Sequence, residues 1–447
     1  LILFPIFDLR YSIFDNATKN NNYTVSALNS ISVSSVSPRR LALRVFLPFA
    51  LGYCFSYAVR NVNAVIAPDL IDSLGLTAAS LGLLTSAYFL TFAAFQLPLG
   101  VLLDRYGPRR MDSILLLFAS FGAFLFATGE SVGQLVVARA FIGVGVSACL
   151  MASFKAFVMW FPAERLPLVN GCIMAVGGFG ALLVTAPMEA LLVIVDWRTI
   201  FIILCAVAAT AAATIFFIVP GRPEEHGVSQ ESTLTQIRGL LGVFKSPLFW
   251  RIAPIATASQ AAFLSIQGLW AGPWLKDVAG LGRHDVGEHL ALIPVSMIIG
   301  FLSFGFLSDR LRRLGVPTVV VAAGGMLLFM LAQLALVIVP GLPPAALWCA
   351  FGLFGTSGIV CYAVLSQSFP KTLTGRVITA LNVLAFSAAF VAQWGLGGLI
   401  GLFPAEAAGA YTAGGYHLAF AVALGIQLIC FLWLVWPRKD SEARFGG

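Results

Sequence analysis

Residues 100–110 read Gly100-Val-Leu-Leu-Asp104-Arg105-Tyr-Gly107-Pro-Arg109-Arg110, a short charged segment between two long apolar runs. A related segment, Gly305-Phe-Leu-Ser-Asp309-Arg310-Leu-Arg312-Arg313-Leu-Gly315, follows 205 residues later. Phe161-Pro162 and Phe369-Pro370 form a second echo, 208 residues apart. Two repeats at nearly the same offset predict two related halves that run in the same orientation.

The composition excludes most other protein classes. Of 447 residues, 59% are hydrophobic and 11% are charged, whereas soluble proteins have about 45 to 50% and about 25%. This excludes a soluble globular protein, a disordered chain, a disulfide-stapled module and a coiled coil. Unbroken apolar runs such as 114–128 and 199–220 favour membrane helices over the alternating strands of a barrel.

Apolar runs bounded by charges, Gly and Pro predict an all-α membrane protein with twelve spans in two six-helix repeats. The spans are approximately 45–70, 78–103, 112–129, 133–159, 168–195, 199–220, 252–275, 286–307, 317–339, 343–369, 377–402 and 411–436. The predicted domains are a disordered cytoplasmic tail or start-site extension (1–40), a six-helix bundle (41–220), a cytoplasmic linker (221–251), a second bundle (252–437) and a cytoplasmic tail (438–447).

Basic residues predict the orientation. With a cytoplasmic N-terminus, 21 of the 27 Lys and Arg residues lie in cytoplasmic segments, three lie in outer loops and three lie within spans. This asymmetry places both termini in the cytoplasm, in a bacterial inner (plasma) membrane. The net charge of +7 is spread over short clusters between spans, so it predicts topology and no nucleic-acid partner. We expect a monomer whose partners are the lipid bilayer and a small-molecule solute.

The repeated loop, the twelve spans and the motif Leu135-x-x-x-Arg139-x-x-x-Gly143-x-Gly145 together resemble the major facilitator superfamily over residues 41–437. The resemblance implies a secondary or facilitative transporter that works by alternating access. It also implies that Asp104 meets the helix of span 11 in the outward-facing state and holds the halves together inside. The candidate gating residues are Gly100, Asp104, Arg105, Gly107, Arg109, Arg110, Asp309, Arg310 and Arg313.

The sequence of span 1 resembles one branch of this superfamily more specifically. The stretch from Tyr57 to Pro68 is similar to the first helix of the anion:cation symporter branch, whose members carry sugar acids and other organic anions. That branch has an Asp before the Arg of span 1 and often a Glu after the Gly-x-Gly of span 4. This chain has Val59 and Val146 there, so the usual proton carriers are missing.

Charged residues inside spans are costly and are candidates for functional sites. Arg60 lies 16 residues after Arg44, about 24 Å along the helix, and is interpreted as an anion clamp or as a structural arginine bonded to carbonyls. Arg139 either lines the solute route or packs helices. Lys155 lies near the cytoplasmic end and is expected to reach out of the membrane. Glu189 is the one carboxylate well inside a predicted span and is the candidate coupling site.

Uncharged polar residues complete the predicted solute site, although such groups also join helices to one another. These candidates are Asn63, Gln260, Gln267, Trp270, Asn382 and Gln393.

Enzymatic functions are not supported by any motif. The sequence has no Walker loop, and its four histidines and seven cysteines show no metal-ligand spacing, so we expect no catalytic residue, metal or cofactor. The predicted function is transport of a small solute, with an organic anion favoured by the net positive set of intramembrane charges. A multidrug or metabolite exporter and a transporter-like solute sensor remain alternatives. Transport is expected to depend weakly on a proton gradient, or on Glu189 alone.

Overall fold

The structure is a computed structural model that describes residues 38–162, 165–221, 233–338, 342–370, 373–403 and 410–436. Eleven helices of these ranges are long and apolar enough to cross a membrane. They are α1 (Arg39–Leu74), α2 (Ala78–Thr128), α3 (Val132–Trp160), α4 (Leu168–Leu192), α5 (Trp197–Ile218), α7 (Phe249–Asp277), α8 (Arg283–Arg313), α9 (Thr318–Ile338), α10 (Pro344–Leu365), α11 (Thr374–Ile400) and α12 (Ala413–Val435).

A shorter helix, α6 (Thr233–Phe244), lies between the two halves, within the predicted linker. Most of the predicted N-terminal tail (1–37) and all of the predicted C-terminal tail (438–447) lie outside the described residues, as does segment 222–232 of the predicted linker.

Helix α2 accounts for two of the predicted spans. Its 51 residues would extend about 76 Å, whereas the hydrocarbon core is about 30 Å thick. The helix is broken at Gly107, which has φ 76° and ψ 159°. On α3, Gly143 packs against Tyr88 and Gly145 packs against Ala119, residues that lie before and after the break. The two parts of α2 therefore lie side by side, and the predicted all-α fold with twelve crossings is confirmed.

The outer surface of the bundle is apolar. Large side chains such as Val193, Ile194, Phe217 and Phe306 are more than two-thirds exposed, which is unfavourable in water and favourable in lipid. Together with the long apolar helices, this surface identifies an integral multi-pass membrane protein.

Glycines bring the two halves into close contact. A Cβ atom at Gly82 of α2 would lie 2.9 Å from the carbonyl oxygen of Gln393 in α11, closer than packed atoms allow. Gly287 of α8 likewise faces Glu189 of α4, with 3.1 Å between its ideal Cβ position and the Glu189 Cβ atom. Small residues at such crossings let helix backbones approach each other in a membrane. The halves therefore meet along α2 with α11 and along α4 with α8.

The bundle has a motif end and an opposite end. The motif end carries Asp104, the Gly107 turn and the first residue of α1, Arg39. The opposite end carries Asp69 near the end of α1 and Arg283 at the start of α8.

Candidate solute-binding site

Arg60 lies in a box of aromatic rings where the halves meet. Its guanidinium carbon is 4.6 Å from the centre of the Tyr57 ring, 5.9 Å from Tyr88 and 5.7 Å from Phe92. The fourth ring belongs to Phe386 of α11, 5.5 Å away, and it packs on Phe92 with 4.2 Å between ring centres. Cation–π contacts of this kind hold a guanidinium in position within a dry environment. The second half therefore contributes directly to the surroundings of Arg60.

The charge of Arg60 is not compensated by a carboxylate. Its only hydrogen bond to the described residues runs from Nε to the Tyr88 hydroxyl, at 3.4 Å, and it forms no ion pair with them. The residue is 7% exposed. A buried cation normally has an anionic partner, so this site is electrostatically ready to receive an anion.

Arg139 has a different environment. Its Nη1 atom donates to the carbonyl of Val59 at 2.8 Å, the guanidinium lies 5.2 Å from the Tyr88 ring centre, and 1% of the residue is exposed. These contacts tie α3 to α1 and leave no accessible surface for a solute. In this structure Arg139 therefore joins α3 to α1.

Two of the predicted polar residues, Asn63 of α1 and Gln267 of α7, lie in different surroundings. Asn63 is buried, and its Nδ2 atom donates to Thr85 at 2.9 Å. Gln267 lines a cavity of about 20 Å³ between the halves, together with Asn61 and Thr185. A cavity of that size has room for about one water molecule. Asn63 therefore joins helices, whereas Gln267 faces a space between the halves.

The remaining polar candidates are mostly engaged with neighbouring helices. Trp270 is buried and donates from its indole nitrogen to the Gln393 carbonyl at 3.1 Å, which joins α7 to α11. The Gln393 side chain is buried, and neither of its polar atoms has a partner in the described residues. Asn382 accepts a hydrogen bond from the Tyr362 hydroxyl at 3.0 Å. Gln260 is partly buried, and its side-chain oxygen would lie 3.4 Å from a Cβ at Gly358.

At the opposite end, an ion-pair cluster joins the two halves. Arg283 of the second half pairs with Asp69 of α1 at 2.7 Å and with Glu189 of α4. The Arg283 side chain is 47% exposed, whereas that of Glu189 is 8% exposed. Near this cluster, the backbone N–H of Ala78 donates to the Tyr411 hydroxyl at 2.7 Å, which adds a second polar contact between the halves. Glu189, the predicted coupling site, thus serves as an ion-pair partner here.

At the motif end, the predicted gating residues make contacts within their own halves. Asp104 pairs with Lys155 of α3 at 2.6 Å, and its side chain is 62% exposed. Arg109 donates to the Phe216 carbonyl of α5. Asp309 pairs with Arg313 at 2.8 Å, and also with Arg312, one turn along the same helix. Asp104 therefore does not meet α11 in this conformation.

The other members of the loop set line the same end. Gly100, Arg105, Arg110 and Arg310 are exposed, and the Arg105 guanidinium lies 5.3 Å from the Tyr106 ring centre. Gly107 needs its positive φ because other residue types rarely adopt that conformation. The loop is therefore a turn with solvated charges around it.

Asp112 is a buried carboxylate that the sequence analysis did not identify. It is 0% exposed, and neither carboxylate oxygen has a hydrogen-bond partner of normal geometry in the described residues. The predicted span 3 began at this residue, so Asp112 was placed at a membrane edge. The sequence did hold a sign of this burial, because Asp112 lies five residues beyond Gly107, more than one helical turn into the second part of α2.

Comparisons with known proteins agree with this architecture. Over 86% of this chain and 85% of the relative, the sequence is 24% identical to the probable sulfoacetate transporter of Cupriavidus necator. It is 25% identical to the nitrite extrusion protein of Bacillus subtilis, over 85% and 90% of the two chains. The hexuronate transporter of Escherichia coli is 26% identical over a shorter region, 40% of this chain and 42% of the relative.

Solved structures agree in fold. A bacterial homologue of the human lysosomal transporter Spinster, in an inward-facing and unoccupied conformation, superposes with a TM-score of 0.72 at 17% identity, covering 89% of this chain and 97% of that one. A D-xylose–proton symporter gives a TM-score of 0.65 at 16% identity, covering 86% and 96%. At such identities the likeness concerns the fold alone.

The family itself is shown by a match over most of the sequence. The sequence model of the Major Facilitator Superfamily matches residues 49–393, well over half of the chain. This range includes both copies of the repeated loop and Arg60, and it runs from within α1 to within α11. The chain is a member of the Major Facilitator Superfamily, a transporter of small solutes.

Proposed function

We propose that this chain transports a small organic anion and that Arg60 binds the anion's charge. The observation that carries the proposal is the uncompensated guanidinium of Arg60, enclosed by aromatic rings from both halves. The relatives' names give further support, since sulfoacetate, nitrite and hexuronate are all anions.

The geometry suits anion binding in two ways. A guanidinium can donate two parallel hydrogen bonds to a carboxylate or sulfonate, and such charge-assisted bonds are stronger than neutral ones. The rings of Tyr57, Tyr88, Phe92 and Phe386 exclude water, which strengthens the attraction between unlike charges. Because Phe386 belongs to the second half, anion binding at Arg60 is sensitive to how the halves are arranged.

The contacts at the two ends support transport by alternating access. We place the motif end in the cytoplasm of a bacterial cell, because most Lys and Arg residues lie on that side. Arg283, Asp69 and Glu189 then join the halves on the outer side, and the described conformation is inward-facing. In this proposal Asp104 leaves Lys155 and meets α11 when the protein turns outward, and the protein acts as a monomer in the inner membrane.

The experiment is a binding comparison on purified protein. Sulfoacetate, glucuronate and nitrite are tested as anions, with tetraethylammonium and xylose as cationic and neutral probes, and thermal stabilisation reports binding. We expect at least one of the anions to stabilise the protein, and Arg60→Gln to weaken its binding by at least about 30-fold. Arg198→Gln is the matched control. It removes the same charge from an arginine that stacks on Trp197 and donates to the Gly129 carbonyl.

Two results would overturn the proposal. Unchanged anion affinity in Arg60→Gln would leave Arg60 as a structural arginine. Stabilisation by the cation but by none of the anions would favour the multidrug exporter instead.

A further inference from the structure

Asp112 is held in an environment that does not stabilise a carboxylate. It is fully buried, and its oxygens lack partners of normal geometry. The donor that faces it is the thiol of Cys149 in α3, and a thiol is a weak donor. Burying an unpaired carboxylate is strongly unfavourable, so such a group binds a proton instead. Asp112 is therefore a candidate proton-binding group.

No fixed cation replaces that proton. From α1, Gly52 faces the carboxyl group, and a Cβ there would lie 3.8 Å from Asp112 Oδ2 and 3.5 Å from Ile215 of α5. On the same helix as Asp112, Arg109 is turned to the Phe216 carbonyl. Within the described ranges, no Lys or Arg forms an ion pair with Asp112.

A column of polar and aromatic side chains leads from Asp112 to the Arg60 site. Gly52 of α1 faces Asp112, and Tyr53 is the next residue along α1. Tyr53 packs edge-to-face on Tyr57, with 5.2 Å between ring centres, and Tyr57 stacks on Arg60. Tyr53, Tyr57 and Arg60 follow one face of α1 at helical spacing. The buried acid and the buried cation therefore lie at the two ends of one column.

We infer that Asp112 is a proton-binding site coupled to the anion site at Arg60, an inference that rests on the proposed function. A proton from solution forms an O–H bond with Asp112 when the anion binds Arg60, and that bond breaks when the anion leaves. With both bound, the two sites carry no net charge. With both released, the charges of the Asp112 carboxylate and the Arg60 guanidinium sum to zero, although the two groups are not in contact. Binding of only one leaves a net buried charge, which the low dielectric of the interior disfavours.

The expected coupling is moderate. Eight residues separate Gly52, which faces Asp112, from Arg60, about 12 Å along α1. Two unit charges at that separation change each other's binding constants by about tenfold at an effective dielectric constant near 20. Anion affinity should therefore fall about tenfold as the pH rises through the titration of Asp112, because the charged carboxylate repels the anion.

The test measures protonation and coupling separately. Infrared difference spectra follow the carbonyl band of a protonated carboxylic acid in wild-type protein and in Asp112→Asn. We expect a band that Asp112→Asn lacks, and we expect Arg60→Gln to move its disappearance about one pH unit higher, since the cation no longer favours the carboxylate. This measurement needs no solute. Absence of such a band, or no effect of Arg60→Gln on it, overturns the inference.

Coupling is measured with whichever of sulfoacetate, glucuronate or nitrite binds the wild-type protein. Asp112→Asn should bind that anion with pH-independent affinity and keep counterflow exchange, yet lose accumulation driven by a pH gradient. Cys149→Ala retains the acid and should retain accumulation, which controls for disturbance of the core. Gradient-driven accumulation that survives in Asp112→Asn overturns the inference. If none of the anions binds wild-type protein, the proposed function fails, whereas the infrared result still decides whether Asp112 holds a proton that senses Arg60.

Discussion

The two ends of the bundle contain similar charged residues that make different contacts. At the opposite end, Arg283 of one half pairs with Asp69 and Glu189 of the other. At the motif end, Asp104 pairs with Lys155 of its own half, and Asp309 pairs with Arg312 and Arg313 of its own helix. Ion pairs that join the two halves bias their relative arrangement, whereas ion pairs within one half do not. The conformation is therefore stabilised at the opposite end.

The largest effect is expected from Arg283→Gln. The change leaves Glu189 buried without a cation, which costs several kcal/mol in a fully buried pair. Because Arg283 is about half exposed, we expect about 2 kcal/mol, or roughly a 30-fold shift of the conformational equilibrium. Spin labels at Ser73 and Glu288, in a background without native cysteines, should report a longer distance across the opposite end. An unchanged distance distribution would mean that the ion pairs do not hold this end closed.

A smaller effect of the same sign is expected from Tyr411→Phe. The substitution removes the hydroxyl that accepts from the first N–H of α2 and keeps the ring. Loss of one such hydrogen bond costs about 1 kcal/mol, so the same label pair should show a partial shift. Thr412→Val, which changes a neighbouring residue with no such contact in the described structure, is the control. Equal behaviour of the two variants would contradict a closing role for Tyr411.

The smallest effect on this conformation is expected from Asp104→Asn. Its pair with Lys155 is largely exposed, and exposed pairs contribute about 0 to 1 kcal/mol. The distance across the opposite end should stay unchanged, in contrast to Arg283→Gln. Transport should nevertheless fall much more than solute binding, because Asp104 is proposed to join the halves in the outward-facing state. Normal transport by this variant would leave the loop as a topology signal.

Hydropathy and the repeated loop were sufficient to predict the fold, because membrane helices must be long and apolar and the two halves share a motif. The burial of Arg60 between the halves agrees with its predicted depth in span 1. The rotation of each helix about its own axis, which decides what a side chain faces, could not be predicted in the same way. Arg139 turns toward the Val59 carbonyl, and Asp112 turns into the core although it lies near a span end.

Side-chain contacts between the two halves could not be predicted from the sequence either. Arg283 was assigned to an outer loop, and its pairing with Glu189 depends on how α8 packs against α4, a contact between residues far apart in sequence. The choice of Glu189 as the candidate coupling site did not foresee that a cation, Arg283, lies beside it. Sequence spacing specifies which residues share a helix face, but it does not specify which face of another helix they meet.

Exchange of a labelled anion in proteoliposomes tests the proposed role of Arg60 most directly. Wild-type protein, Arg60→Lys and Arg60→Gln are compared with the anion that binds most strongly, with Arg198→Gln as the control for loss of charge elsewhere. We predict rapid exchange by wild type and by Arg198→Gln, slower exchange by Arg60→Lys because an ammonium lacks the planar pair of donors, and exchange at the level of empty liposomes by Arg60→Gln. Wild-type exchange by folded Arg60→Gln would contradict an anion site at Arg60.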